Sequence, residues 1–245
     1  MILDVNTLDL RRALQACLPH VADPEAYPAL AVLHFVATDE NLLVTGANTI
    51  SLGHAVVSMW DHRDLTGDPD TDCFDLSPAT AKELLTVFKS GGTSASEEGV
   101  GECLRITVTE DKVSVLDVSG LFPGKAFTVP RETRDEYRVG FARMLLECLT
   151  ADSVVPARLA VAGAVVRWFT TAAQAYRAPL MLEPTADERR ILISCGDSFL
   201  GILMPIRSGD ETEIAQDAVI ARHGWMHRLV PLRDHGAGKT RQEAH

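Results

Sequence analysis

Residues 103–130 have the sequence CLRITVTEDKVSVLDVSGLFPGKAFTVP, and residues 179–205 have the sequence PLMLEPTADERRILISCGDSFLGILMP. Both stretches contain alternating apolar residues, an acidic turn and a last apolar strand that ends in Val-Pro or Met-Pro. Each follows a segment with helical periodicity, at residues 77–89 and 163–176. The agreement in turn residues and terminal proline predicts an internal duplication. The alternative is that any helix followed by a β-meander gives this pattern.

The other periodic segments predict two more helices and a second meander. Apolar residues recur with helical spacing from residue 7 to about residue 21, and again at residues 141–149. Ser77 and Pro78 suit the N-cap and the first position of the helix between them. Short polar turns separate three apolar or alternating segments, which is typical of antiparallel strands. These strands are predicted at residues 30–37, 41–45 and 50–60.

Composition indicates a folded cytoplasmic protein. The chain has 245 residues, a formal net charge of −11 and 46% hydrophobic residues. No apolar run approaches the roughly 20 residues that span a bilayer, and the N-terminus lacks the basic and apolar blocks of a secretory signal. An odd number of scattered cysteines indicates reduced thiols rather than a disulfide framework. They are Cys17, Cys73, Cys103, Cys148 and Cys195.

Three groups of segments resemble the bacterial DNA polymerase sliding clamp, the β subunit family. The first is the opening helix followed by a strand entry and a strand pair. The second is a hairpin, and the third is a closing strand whose Met-Pro-x-Arg ending is the family's most specific short motif. The resemblance covers about residues 1–207 in patches. The segments are residues 8–18, 28–30 and 41–50, residues 112–122, and residues 196–207.

The resemblance implies an α+β protein with the DNA-clamp fold. Antiparallel sheets would form the outside, with paired helices on an inner face, and the domain would be duplicated. We predict a complete clamp-like domain at residues 1–132, a shortened one at residues 133–207 and a partly basic C-terminal extension at residues 208–245. The short second domain departs from the family and leaves a complete ring of three identical chains open.

Clamps hold duplex DNA without reading its sequence, so the resemblance implies a few cations that face phosphate. A net charge of −11 opposes DNA binding over the whole surface, but it allows cations on one inner face. The candidates lie off the apolar stripes of the predicted helices, where exposed cations are also ordinary solvated surface. The predicted DNA-facing residues are Arg11, Arg12, Lys82, Lys89, Arg167 and Gln174.

The resemblance also implies a hydrophobic pocket that binds short linear peptides of partner proteins. A methionine beside apolar residues suits such a pocket because methionine repacks easily. The alternative is ordinary core at the end of a strand. The expected partners are duplex DNA, a DNA polymerase and a clamp loader, and further copies of the chain in a homo-oligomer. The predicted pocket residues are Thr45, Thr49 and Ile50 on one wall, and Met204, Pro205 and Ile206 on the other.

Patterns that resemble catalytic or metal sites are incomplete, so we predict a protein that is not an enzyme and needs no cofactor or metal. Residues 236–240, GAGKT, lack the first glycine of a phosphate loop and are followed by only a few residues. His223 and His227 have metal-ligand spacing but no evident third ligand. Two functions remain open: a clamp that encircles DNA, and a clamp-derived interaction module that does not close a ring.

Overall fold

An antiparallel sheet of eleven strands forms the framework of the part of the chain that the computed structural model describes. The predicted loop at residues 90–101, the motif residue Arg207 and the predicted boundary at residue 133 lie outside the described residues. The described residues are 1–89, 102–132, 140–154, 159–186, 189–206 and 211–237, with side chains in the last range for residues 216–229.

Three helices in this framework are each followed by a three-stranded antiparallel meander. The helix α1 precedes β2–β4, α2 precedes β6–β8 and α4 precedes β9–β11. In chain order the elements of the first half are β1 (Ile2–Asn6), α1 (Thr7–Cys17), β2 (Leu33–Ala37), β3 (Asn41–Ala47), β4 (Ser51–Arg63), β5 (Cys73–Leu76), α2 (Pro78–Val87), β6 (Cys103–Val108), β7 (Lys112–Asp117) and β8 (Ala126–Pro130). Those of the second half are α3 (Phe141–Thr150), α4 (Gly163–Tyr176), β9 (Leu180–Pro184), β10 (Ile191–Cys195), β11 (Phe199–Leu203) and α5 (Glu211–Ala237).

The long strand β4 joins two arms of the sheet. Its first part pairs with β3 and β11, and its last residues pair with β1. One arm has the order β5-β2-β3-β4-β11-β10-β9, and the other has the order β4-β1-β6-β7-β8. The first two helix–meander units therefore share one sheet with the third.

The pairing of β4 with β11 depends on two glycines that lie opposite each other, Gly53 and Gly201. A Cβ atom on Gly53 would lie 2.5 Å from the His20 ring, and one on Gly201 would lie 2.5 Å from the Phe169 ring. The two rings contact each other with centroids 4.6 Å apart. Glycine at both positions therefore lets these rings lie directly on the backbone of the central strands.

Helices cover both faces of the sheet. Buried residues of α1, α2 and α4 share one core cluster, which we call the main core, with residues such as Leu42, Val44 and Ile193. The helix α3 belongs to a smaller cluster with Ala47 and Leu192. Because alternate residues of a strand point to opposite faces, the two clusters lie on opposite faces. We call the faces the three-helix face and the α3 face.

This architecture confirms the predicted α+β class and clamp fold, in which helices line one face of antiparallel sheets. The helix α3 is the exception, since it lies on the other face. The predicted starts of α1 and α2 agree with their caps: Asn6 Oδ1 accepts from Asp9 N at 3.0 Å, and Ser77 Oγ accepts from Thr80 N at 3.2 Å. The first helix is shorter than predicted and ends at Cys17.

The sequence analysis did not predict β1, although this strand is central to one arm. It lies between β4 and β6, and it buries Leu3 and Val5. Five residues with two buried positions give too short an alternation to distinguish a strand from an irregular N-terminus. Strand β4 is also longer than predicted and continues to Arg63.

The strands and α1–α4 belong to one unit, Met1–Ala157 with Val161–Pro205, and a second unit holds Arg158–Ala160 and Ile206–His245. The predicted division at residues 132 and 207 stays a prediction. In the second unit, α5 runs through most of the predicted basic extension. None of the helices in the described ranges is long and apolar enough to cross a membrane.

Candidate functional site

An apolar pocket opens on the α3 face where the β3–β4 turn meets the end of β11 and the first turn of α3. Its free volume is about 50 Å³. Apolar side chains dominate the lining, and Asn48 and Ser51 are its polar members. The lining residues are Leu30, Ala47, Asn48, Ile50, Ser51, Leu52, Phe141, Met144, Ile202 and Met204.

Asn48 shapes the turn that presents Ile50 to the pocket. Its Oδ1 accepts hydrogen bonds from Ile50 N and Ser51 N, both at 2.9 Å. Its Nδ2 donates to the backbone oxygen of His20 at 3.0 Å. An asparagine that bonds its own turn in this way holds a tight loop in one conformation. The turn is thus fixed to α1's end of the sheet, and Ile50 is 41% exposed at its tip.

Met204 follows β11 and forms the wall opposite this turn. Its N–H donates to the oxygen of Ile50 at 2.9 Å, which holds the two walls together. Its side chain is 39% exposed. Two half-exposed apolar side chains on a fixed backbone can contact a partner with little loss of conformational freedom.

A row of polar side chains runs behind the pocket across four strands. Asp75 Oδ1 and His34 Nδ1 lie 2.6 Å apart, and Thr45 Oγ1 and His54 Nδ1 lie 2.8 Å apart. Burial lowers the pKa of His54 to about 4, and the nearby His34 lowers it further. His54 is therefore neutral near neutral pH. Its bond to Thr45 connects β3 to β4, so Thr45 supports the sheet.

The helix α3 forms the remaining wall through Phe141 and Met144, which are half-buried. Further along the helix, Leu145 and Cys148 are buried in the small cluster. Glu147 Oε2 accepts a hydrogen bond from Arg190 Nη1 of the preceding loop of β10 at 3.1 Å. The hydrogen bond from Arg190, with a second one from Arg143, lowers the pKa of Glu147.

Of the residues predicted for the pocket, the structure brings together Ile50 and Met204. Thr45 is buried behind it, and Thr49 is exposed at the turn beside it. Pro205 and Ile206 are not among the lining residues, and Ile206 belongs to the second unit, where its N–H donates to the oxygen of Ala160. The sequence analysis missed Asn48, whose signal was an asparagine in a short turn. It also missed Leu30, Leu52, Phe141, Met144 and Ile202.

The residues predicted to face DNA lie in or next to α1, α2 and α4, the helices of the three-helix face. Two of them are already paired. Arg11 donates from Nη1 to the oxygen of Leu85 at 2.6 Å and to that of Phe88, so it caps the C-terminus of α2. Arg12 Nη1 lies 3.9 Å from Asp9 Oδ1 one turn away on the same helix.

The other predicted residues have exposed side chains: Lys82 and Lys89 in and just after α2, and Arg167 and Gln174 in α4. Within the described ranges, these side chains make no hydrogen bond or ion pair. Cations in this state keep their full charge for a ligand. The three-helix face thus carries at least three cations that are available to an anionic partner.

The side chains that suggested other chemistry are dispersed. His223 and His227 lie in α5 and are exposed. Over the described part of the chain, no group of three or more His, Cys, Asp or Glu side chains could hold a metal ion. All five cysteines are free thiols and are buried. Burial raises the pKa of Cys103 to about 11, helped by the nearby Asp4. That thiol is therefore protonated near neutral pH.

No protein-family model and no curated protein sequence matches the chain. The chain is similar to solved structures of bacterial clamps. The DNA polymerase III beta subunit from Thermotoga maritima superposes with a TM-score of 0.60 at 11% identity, over 84% of this chain and 65% of that one. For the DNA polymerase sliding clamp from Bacillus subtilis the TM-score is 0.56 at 13% identity, over 85% and 64%.

The beta subunit from Pseudomonas aeruginosa gives a TM-score of 0.54 at 13% identity, over 86% of this chain and 66% of that one. The chain spans less than two thirds of the length of each of these three proteins. At such identities the likeness is one of fold. The chain therefore has the fold of the DNA polymerase III beta subunits, the bacterial sliding clamps.

Proposed function

We propose that the chain is a sliding-clamp-like processivity factor that assembles around duplex DNA and tethers replication or repair proteins. The observation that carries the proposal is the clamp fold itself, with three helices on one face of a continuous antiparallel sheet. In this proposal the protein acts by binding and topology rather than by catalysis.

The three-helix face is the proposed DNA side. A clamp that slides needs phosphate contacts that do not depend on base sequence. Lys82, Lys89 and Arg167 supply long, flexible, exposed cations on this face. The net charge of −11 repels DNA from the rest of the surface. Gln174 adds a neutral hydrogen-bond donor beside them.

The pocket between Ile50 and Met204 is the proposed partner site. It is apolar, it is fixed by the Asn48 turn, and it holds few polar groups that could orient a polar ligand. Such a pocket suits an apolar side chain of a short linear peptide from a polymerase or a clamp loader. Its position on the α3 face would keep partners away from the DNA side.

Charge reversal on the three-helix face tests the DNA part of the proposal. We expect the double variant Lys82→Glu with Arg167→Glu to bind a short duplex DNA at least about tenfold more weakly, with a salt dependence reduced by about two phosphate contacts. The measurement is fluorescence anisotropy of labelled duplex over a salt series. Binding should not depend on the base sequence of the duplex.

The matched control is Arg63→Glu with Lys112→Glu, which changes the net charge equally. By strand alternation both residues lie on the α3 face of the sheet, so this variant should bind DNA almost as well as the unmodified chain. Equal losses in the two variants would reduce the effect to net charge and would contradict a dedicated DNA face.

A second candidate function is a clamp-derived interaction module that binds partner peptides without encircling DNA. Two observations favour it: Arg11 and Arg12 are paired within the chain, and the chain spans less than two thirds of the clamps that it resembles. Peptide binding together with DNA affinity that the charge reversals do not change would favour this module.

A further inference from the structure

We infer that the first turn of α3 is an internal occupant of the partner pocket, so that Phe141 and Met144 must move before a partner side chain can enter. The inference rests on the proposed function of the pocket and adds its regulation. In the sequence analysis α3 was only a predicted helix with no assigned role, and neither residue was among the predicted pocket residues.

The free space in the pocket is too small for the side chain that it would have to receive. A volume of about 50 Å³ accommodates only a few water molecules. A peptide anchor of the leucine or phenylalanine kind needs more room than this, and sites for organic ligands are several times larger. The pocket as it stands is therefore mostly filled.

The atoms that fill it belong in part to α3. Phe141 and Met144 line the pocket and pack against the small core cluster through partly buried contacts. They approach from the connection between the two halves of the sheet, whereas Ile50 and Met204 belong to the sheet's own turn and strand end. Removing the first turn of α3 would leave Ile50 and Met204 in place and would enlarge the space between them.

The attachments of α3 are concentrated after its first turn. Leu145 and Cys148 are the buried residues of the helix, and the ion pair of Glu147 with Arg190 is also in its later part. At the other end, Gly140 is the N-cap residue and offers no side-chain hydrogen bond to the first N–H groups. Uncapped helix ends open at a small cost in free energy. The first turn can therefore open while the rest of α3 stays bound.

An internal occupant lowers the apparent affinity for an external one by the fraction of time that the pocket is open. Truncating the occupant should then strengthen peptide binding. If Phe141 and Met144 were simply a wall of the pocket, their truncation would remove contacts and weaken binding. The two possibilities thus predict effects of opposite sign.

The test uses the full chain and a fluorescein-labelled glycine peptide that carries two leucines and a terminal phenylalanine, with a serine-substituted peptide as the polar control. We expect Phe141→Ala and Met144→Ala each to bind the apolar peptide about five to ten times more tightly than the unmodified chain. The matched control is Leu146→Ala, which truncates a residue of the same helix that is 60% exposed and does not line the pocket.

Weaker or unchanged binding by both variants, with the unmodified chain still binding, would overturn the inference and leave the pocket proposal standing. No binding of the apolar peptide by the unmodified chain or by either variant would contradict the pocket itself. Amide hydrogen exchange of the unmodified chain gives a second test that needs no substitution. Saturating peptide should speed exchange at residues 141–145 and slow it at Ile50 and Ser51, whereas slower exchange in both segments would contradict displacement.

Discussion

Gly201→Ala is expected to destabilise the folded chain by about 3 kcal/mol, at the upper end of the range for overpacking a core. The new Cβ would lie 2.5 Å from the Phe169 ring and 2.9 Å from the backbone oxygen of Leu52 on the paired strand. Phe169 is fully buried, so its ring has little room to move away. Relief therefore requires β4 and β11 to separate where the two halves of the sheet meet.

The measurement is urea denaturation followed by circular dichroism, with the unmodified chain beside the variant. The matched control is Gly163→Ala at the start of α4, where an added Cβ has no atom within 4 Å. The control should keep the midpoint of the unmodified chain or raise it slightly. Equal midpoints for Gly201→Ala and Gly163→Ala would contradict the close approach of Phe169 to β11.

Ile50→Ala combined with Met204→Ala is expected to abolish binding of the apolar peptide, with a loss of more than about 100-fold, or about 3 kcal/mol. The two side chains form opposite walls of the proposed pocket, and a few apolar anchors carry most of the affinity of such sites. Both side chains are more than a third exposed, so the folded chain should lose little stability. Fluorescence anisotropy of the labelled peptide measures the affinity.

Thr49→Ala is the matched control because Thr49 is exposed in the same turn but does not line the pocket. The control should bind the peptide like the unmodified chain. Unchanged affinity in the double variant would reject this pocket as the partner site, and a loss of equal size in Thr49→Ala would point to the turn as a whole.

Most of the fold could be predicted because its signals are local. The serine and proline at the start of α2, the helical spacing in α1 and α4, and the alternation in the two quoted meanders each depend on neighbours in the chain. The position of α3 has no local signal. Its apolar stripe predicts a helix that packs on something, but either face of the sheet could receive it.

The candidate pocket was only partly predictable for the same reason. Ile50 and Met204 could be identified from the resemblance to clamps, because each lies within a short motif. Phe141 and Met144 enter the pocket through long-range packing that no motif records. Likewise, spacing placed Arg11 off the buried stripe of α1, but it could not show that the carbonyl groups at the end of α2 hold its guanidinium.

The most direct test of a clamp that encircles DNA is the mass of the chain by size-exclusion chromatography with light scattering, at micromolar concentration, with and without a short duplex DNA. A ring needs more than one copy of a chain of this length, so we predict a defined oligomer that duplex DNA stabilises. A strict monomer under both conditions would contradict the ring and would leave only the interaction module.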